Sequence, residues 1–481
     1  MGRMLTSKAL RPHTEPPPAA LRQAPAAALS ERKAAPGAKP VLTQTTIEPL
    51  EDQIERSNPF RKVAFYASVA FLFLRFSALS ELLAFYTQVN FYLLYIFAPF
   101  AFLGVLLTGG VRRTLRYNPA RYWLAFFAWM ILATPFSSWK GDSVALLWNY
   151  SRFQITMLFM VAGLAMTWKD IRLIFYTLAA SAVANLFSAN LLTDLDAGGR
   201  ITLSASGNMG NSNDLGTQFL LVLPFLLFVA MDSARNLFLR LALLPAIAYG
   251  IWIVLGTGSR GCLIALIAMF LFSIWRATAS YRIAILVAVV VLAATIPLLL
   301  PGSVLSRLGS LVGEESKNPI EAAEARESKL AREYLLQQSL LYTVEHPVFG
   351  VGPGQFPNFE GQERISEGKR GQWKVTHNFL TQVSSECGIP ALIFILLGLG
   401  SAMLLVSRTY RVARTKGFRE IEKACFCYQL AMVGYLCAVI FLAHAYLFYL
   451  PTMIGLAIAI HMVGMRHMAA QEPTVAVAAR P

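Results

Sequence analysis

Charge is scarce in this 481-residue chain: only 14% of residues are Asp, Glu, Lys or Arg, against 56% that are hydrophobic. That balance excludes an ordinary soluble domain and places the chain among polytopic membrane proteins. Cysteine is scarce as well. Cys262, Cys387, Cys425, Cys427 and Cys437 give neither zinc spacing nor a disulfide framework. Cys262 and Cys387 are expected near one membrane face, which leaves a bridge open beside the simpler reading of buried thiols. No H-E-x-x-H or clustered ligand set occurs, and Ser259 lies in Thr-Gly-Ser-Arg-Gly rather than in a G-x-S-x-G elbow. The usual marks of zinc enzymes and serine hydrolases are therefore missing. Asp194-Leu195-Asp196 is a D-x-D pattern of the kind that holds a divalent cation beside a sugar diphosphate, but it is short and equally suits a solvated loop.

What is abundant is apolar sequence. A bilayer core needs about 20 apolar residues per helix, and about twelve runs qualify. They lie near 63–82, 89–108, 121–138, 147–167, 171–192, 215–231, 237–255, 260–275, 283–300, 389–407, 426–446 and 448–465. The expected fold class is an all-α polytopic membrane protein with one large, partly helical periplasmic loop. Residues 1–60, rich in Ala and Pro and without an apolar run, are expected to be a disordered cytoplasmic tail rather than a signal peptide. About nine helices then fill 61–300, the loop spans 301–388, about three helices fill 389–467, and a short tail covers 468–481. No internal repeat is evident.

The net charge of +15 does not imply nucleic acid, because the basic residues sit in alternate short loops, where they act as orientation signals. Arg112, Arg113, Arg116 and Arg121 follow the second run; Lys169 and Arg172 the fourth; Arg235 and Arg240 the sixth; Arg276 and Arg282 the eighth; Arg408, Arg411, Arg414 and Lys416 the tenth. Both termini are then expected in the cytoplasm and 301–388 outside. Within that loop Asn318-Pro319 signals a helix start. Leu330, Tyr334, Leu341 and Val344 form an apolar stripe expected to pack on the membrane domain. His346-Pro347 ends the helix, and Gly350-Val351-Gly352-Pro353-Gly354 makes a tight turn.

Charges within spans are costly and face a cavity or a partner. Arg75, Arg152 and Arg260 should all reach the outer half of the bilayer, where, with Arg200 from an outer loop, they could grip an anionic headgroup; guanidinium geometry matches phosphate. The plainer alternative is that each snorkels or pairs with a carboxylate such as Glu81. Of six histidines, only His346 and His377 fall outside tails and spans. His377, just before a span, is the better candidate for a proton acceptor, and Glu386 could orient it. The alternative is a loop hydrogen bond.

Four segments together resemble the O-antigen ligase and polymerase superfamily, bacterial membrane enzymes that transfer glycans from a polyprenyl-diphosphate carrier. Gly199-Arg200-Ile201 with the 207–215 stretch resembles its R-(L/I)-S-G-T-F-G-N-P-N-x-L-A segment. Ser259-Arg260-Gly261 resembles its S-R-G, residues 345–354 its x-H-P-x-F-G-x-G-P-G, and His377-Asn378-Phe379-Leu380 with Glu386-Cys387-Gly388 its H-N-x-x-L and E-x-G. The departures are Ser212 where proline is usual and Gly216 where alanine is usual.

The resemblance implies a metal-independent glycosyltransferase without cofactor, in the inner membrane, serving cell-envelope polysaccharide such as lipopolysaccharide. Its donor would be a glycan on undecaprenyl diphosphate or a similar carrier, and its acceptor another glycan or lipid A core. His377 would be the general base, with Glu386 beside it. Arg200, Arg260, Arg152 and Arg332 would bind the diphosphate, while Asn211, Asn213, Gly350, Gly352 and Asn378 shape the cavity. A protein oligosaccharyltransferase of the same superfamily is the nearest alternative. A secondary transporter or a non-catalytic export scaffold is a more distant one, since transporters favour duplicated halves with polar groups at the midplane.

Overall fold

The computed structural model describes residues 50–478 except 196–198, 204–210, 233–236, 278 and 310–318. Most of the N-terminal tail, Asp196, Asn208, Arg235 and the Asn318 cap lie outside the described residues.

The tail was expected to reach residue 60, yet α1 (Leu50–Ser57) is already helical. Its Asp52 is buried against Arg113, Arg116 and Arg466, which fixes it to the bundle. Then α2 (Pro59–Phe76) starts with Asn58 as cap and proline in its first turn. It bends by 66° into α3 (Leu79–Thr87). α4 (Leu93–Leu107) lies on α2 because Gly104 lets the backbones close: a Cβ there would come within 2.1 Å of that of Ala64.

α5 (Gly110–Leu115) and α6 (Asn118–Ala133) follow. The run at 147–167 is not one helix. α7 (Lys140–Asn149) passes through a wider π turn, Tyr150–Ile155, into α8 (Thr156–Leu164). Next comes α9 (Trp168–Leu192), with a Thr167–Asp170 capping box. A ribbon of β1 (Thr193–Leu195) and β2 (Ile201–Leu203), antiparallel with Asp194 opposite Thr202, leads to α10 (Ser212–Met231). α11 (Leu237–Gly256), α12 (Arg260–Arg276) and α13 (Ala279–Leu299) complete the first half.

The polar stretch holds α14 (Gly302–Gly309), α15 (Pro319–Glu345) and α16 (Phe356–Ser366). Of the expected stripe on α15, only Tyr334 packs. Leu330, Leu341 and Val344 are exposed, while Leu335, Ser339 and Tyr342 are buried with Val351 and Phe356. The two stripes are a fraction of a helical turn apart, and Tyr342 and Tyr334, whose hydroxyls donate to Glu363 and Glu360 on α16, decide the rotation. The chain closes with α17 (Phe379–Lys416), α18 (Arg419–Val439) and α19 (Tyr449–Ala478), so helix continues where a C-terminal tail was expected.

Each of the twelve apolar runs holds helix, but among the described residues five helices are long and apolar enough to cross a membrane, or six if α2 and α3 form one bent span. α4, α6 and α12 have 15, 16 and 17 residues, short of the roughly 20 a bilayer core asks for. α10 and α19 lie inside the bundle and α11 at its edge. Phe100, Leu103 and Leu107 on α4, Leu271 and Trp275 on α12, and Ile393 and Leu396 on α17 are exposed. Apolar surface of this extent belongs against lipid.

Candidate active site

A span can break inside a membrane only if protein groups satisfy the freed backbone. Among the described residues α2 and α3 form one such bent pair, a second interruption lies between α18 and α19, and the sequence supplies polar groups at both. Between α2 and α3, Asn185 accepts from the Ala78 amide at 2.8 Å and donates to Phe76 O at 2.9 Å, and Gln218 donates to the same carbonyl at 2.6 Å. Between α18 and α19 the chain leaves the helix at residues 440–448.

That second break touches three of the four candidate segments directly. Phe441 fills the space left by Gly261, where a Cβ would meet its ring at 2.9 Å. His444 Nε2 lies 2.8 Å from Asp214 Oδ1, and its Nδ1 lies 3.2 Å from the Tyr435 hydroxyl. The Ala445 amide donates to Gln382 Oε1 at 3.1 Å, and Tyr446 donates to Glu386 at 2.6 Å. Arg75 stacks over Phe448 at 4.4 Å.

Around this break the motifs form two halves. In the first, Arg200 donates through Nε to Thr257 O at 2.7 Å and through Nη2 to Asn213 Oδ1 at 3.0 Å. It thereby joins the ribbon, the start of α10 and the turn before half-buried Arg260. Asn211 caps α10 by accepting from the amides of Asn213 and Asp214 at 2.9 and 3.0 Å. Gly216 fits this chain's own packing, since an alanine Cβ would lie 2.8 Å from Cys262 Sγ.

In the second half, the glycine turn docks on the backbone of α17. Val351 N donates to Ser385 O at 2.8 Å, Gly352 N to Glu386 O at 3.0 Å, and Ile389 N to Pro347 O at 2.8 Å. Any Cβ at Gly350 would lie 2.3 Å from the Glu386 carbonyl carbon, and one at Gly352 2.1 Å from Ser137 Oγ. Gly388, at φ 83°, kinks α17 so that the turn can enter. Trp129 closes the seam by donating to Val348 O and Cys387 O.

His377 stands at the entrance of α17, which Asn378 caps through the amides of Leu380 and Thr381. Its φ of 52° is left-handed, unusual for a non-glycine residue. Burial first, then the nearby charges of Arg332 and Lys374, push the imidazole down to about 4, with Asp214 opposing. The imidazole is neutral at ordinary pH and keeps a lone pair.

Two expectations change, and the simpler reading of the cysteines holds. Glu386 does not orient His377: its partners are the Gly354 amide at 3.0 Å and the Tyr446 hydroxyl, so it pins the glycine turn to the break. Arg152 is exposed in the π turn, held by Asn149 at 2.7 Å and stacked on Phe153 at 4.5 Å, a contact set separate from this cluster. Cys262 and Cys387 are unbridged buried thiols, the latter beside the Tyr446 hydroxyl. Among the described residues, no group of three or more His, Cys, Asp or Glu side chains is placed to hold a metal ion.

His444, Asp214, Gln382 and Tyr446 were missed from sequence. One signal existed: the runs at 426–446 and 448–465 leave too little chain between them for a loop outside the bilayer, so the turn had to lie within the fold.

The fold and site together define a multi-pass membrane protein whose candidate chemistry gathers at broken helices. Residues 245–396 match the family model described as O-Antigen ligase. The matched stretch contains Arg260, Arg332, the glycine turn, His377 and Glu386. No curated protein matches the chain.

Proposed function

We propose that this protein transfers a glycan from a polyprenyl-diphosphate carrier to an acceptor hydroxyl, as an O-antigen ligase or polysaccharide polymerase at the outer face of the bacterial inner membrane. About twelve crossings, with both termini in the cytoplasm, would put the 301–388 stretch on that face. The observation that carries the reading is the break at 440–448, whose Phe441 and His444 meet the arginine half and whose Ala445 and Tyr446 meet the histidine half, the latter half lying inside the stretch matched to the O-antigen ligase model.

Arg200, Arg260 and Arg332 hold the diphosphate and stabilise its charge as it leaves, an electrostatic role that a metal plays elsewhere. α10, α12 and α17 all begin at this site, and their N-terminal amides favour the same anion. His377 takes the proton of the acceptor hydroxyl as its oxygen attacks the anomeric carbon. The C–O bond to the diphosphate breaks with inversion, and the leaving group keeps the bond's electron pair. A diphosphate set against Arg332 and Lys374 offsets their charge, so donor binding raises the imidazole's pKa toward neutrality and improves it as a base. Glu386 and Asn378 position this machinery, and Arg152 anchors the π turn.

A deletion strain separates the two activities. Long glycan chains accumulating on the carrier indicate a ligase and single units a polymerase. Unchanged carrier-linked glycan together with normal surface polysaccharide would remove the proposal. Transfer to a protein side chain is the second reading, since the site holds the donor and leaves the acceptor open.

A further inference from the structure

Away from the glycan site, a cavity of about 580 Å³ opens beside α5, lined by Arg112, Arg116, Arg121, Leu106, Val111 and Leu115. Its two kinds of wall are chemically distinct. Arg112 and Arg121 are exposed at its rim. Arg116 is fixed by Asp52 at 2.7 Å, and the same carboxylate faces Arg466 at 2.8 Å and Arg113 at 3.8 Å. Burial alone would raise the Asp52 carboxyl, but Arg116 and Arg466 reverse that and hold it below its ordinary range. Glu55, also on α1, accepts from Asn58 at 2.8 Å. Among the described residues, Arg112, Arg113, Arg116, Arg121 and Arg466 thus gather around Asp52 at this end of the bundle, with Arg121 Nε donating to the Leu115 carbonyl at 2.6 Å.

The apolar wall continues outward. Leu106 and Leu107 at the end of α4 are 50% and 69% exposed, on a helix whose outer side is apolar throughout. An anion entering between Arg112 and Arg121 therefore meets guanidinium groups at one end and a lipid-facing leucine wall at the other. A free phosphate uses only the first feature, whereas a molecule with a phosphate head and acyl chains uses both.

We propose that this cavity binds the headgroup of an anionic phospholipid, its phosphate between Arg112 and Arg121 and its chains along Leu106 and Leu107. The site is independent of the glycan-transfer reading and needs only that this end of α4 meets lipid. It would tie the membrane to the junction of α1, α5 and α19 through Asp52.

The test uses the full-length protein in nanodiscs of phosphatidylcholine carrying trace spin-labelled phosphatidylglycerol or spin-labelled phosphatidylcholine. Native protein should immobilise the phosphatidylglycerol label in preference by about five-fold or more, the scale expected for each arginine at a membrane surface. Arg112→Gln with Arg121→Gln, both at exposed positions, should bring the preference close to one. Removing the same charge at Arg411 and Lys416 should leave it in place. No preference in the native protein overturns the proposal. So does equal loss in the two double variants, which would mean a diffuse field, or displacement of the label by inorganic phosphate at matched ionic strength, which would mean a phosphate site without lipid selectivity.

Discussion

At the residue scale the proposed base is an imidazole held neutral by burial and by two neighbouring cations. Because its pKa of about 4 lies below the usual 6.5, the unfolded chain binds this proton between those values and the folded chain does not. Its effect on stability therefore rises with pH through that window and is lost as pH falls. For catalysis, kcat/KM reports the free protein and kcat the donor-bound complex. The acid limb of kcat/KM should lie near pH 4, and that of kcat at higher pH, because a bound diphosphate offsets Arg332 and Lys374. Coincident limbs near 6.5 would contradict the assigned environment. Arg260 carries a different prediction. Lysine preserves its charge but not its planar fork, so Arg260→Lys should lower kcat/KM about ten-fold or more; an unchanged value would reduce it to an anchor for α12.

At the element scale, the site depends on close approaches that particular small residues permit. α10 and α12 meet at Gly216 and Cys262, where a Cβ would sit 2.8 Å from sulfur. Gly216→Ala should cost about 1–3 kcal/mol, read as a lower midpoint of thermal unfolding in detergent, and Cys262→Ala in the same chain should restore most of it. An undiminished loss in the double variant would place the strain elsewhere. Much of this was legible in the sequence. Asn211 and Asn378 stand where helix caps belong, the 350–354 turn is written in its glycines, and each apolar run holds helix. The rotation of α15 was not legible, because its two apolar stripes lie too near each other for spacing alone to choose between them. Nor was the role of Glu386, since nine residues of sequence separation from His377 says nothing of a kink at Gly388 that turns its carboxylate toward Gly354.

At the scale of the whole molecule, a chain poor in charge sets amide and acid side chains against the backbone and side chains of its two breaks. Asn185 and Gln218 close one break, and Asp214, Gln382 and Glu386 close the other. In the proposed reading, the breaks let helix starts and arginines from distant parts of the chain share one place with His377. The most direct test is glycan transfer by purified protein in proteoliposomes, from a defined polyprenyl-diphosphate glycan to its acceptor, with released carrier diphosphate measured alongside. His377→Ala, with an unchanged unfolding midpoint, should lower both product and released diphosphate about a hundred-fold or more. Native-like transfer by that variant would contradict the account.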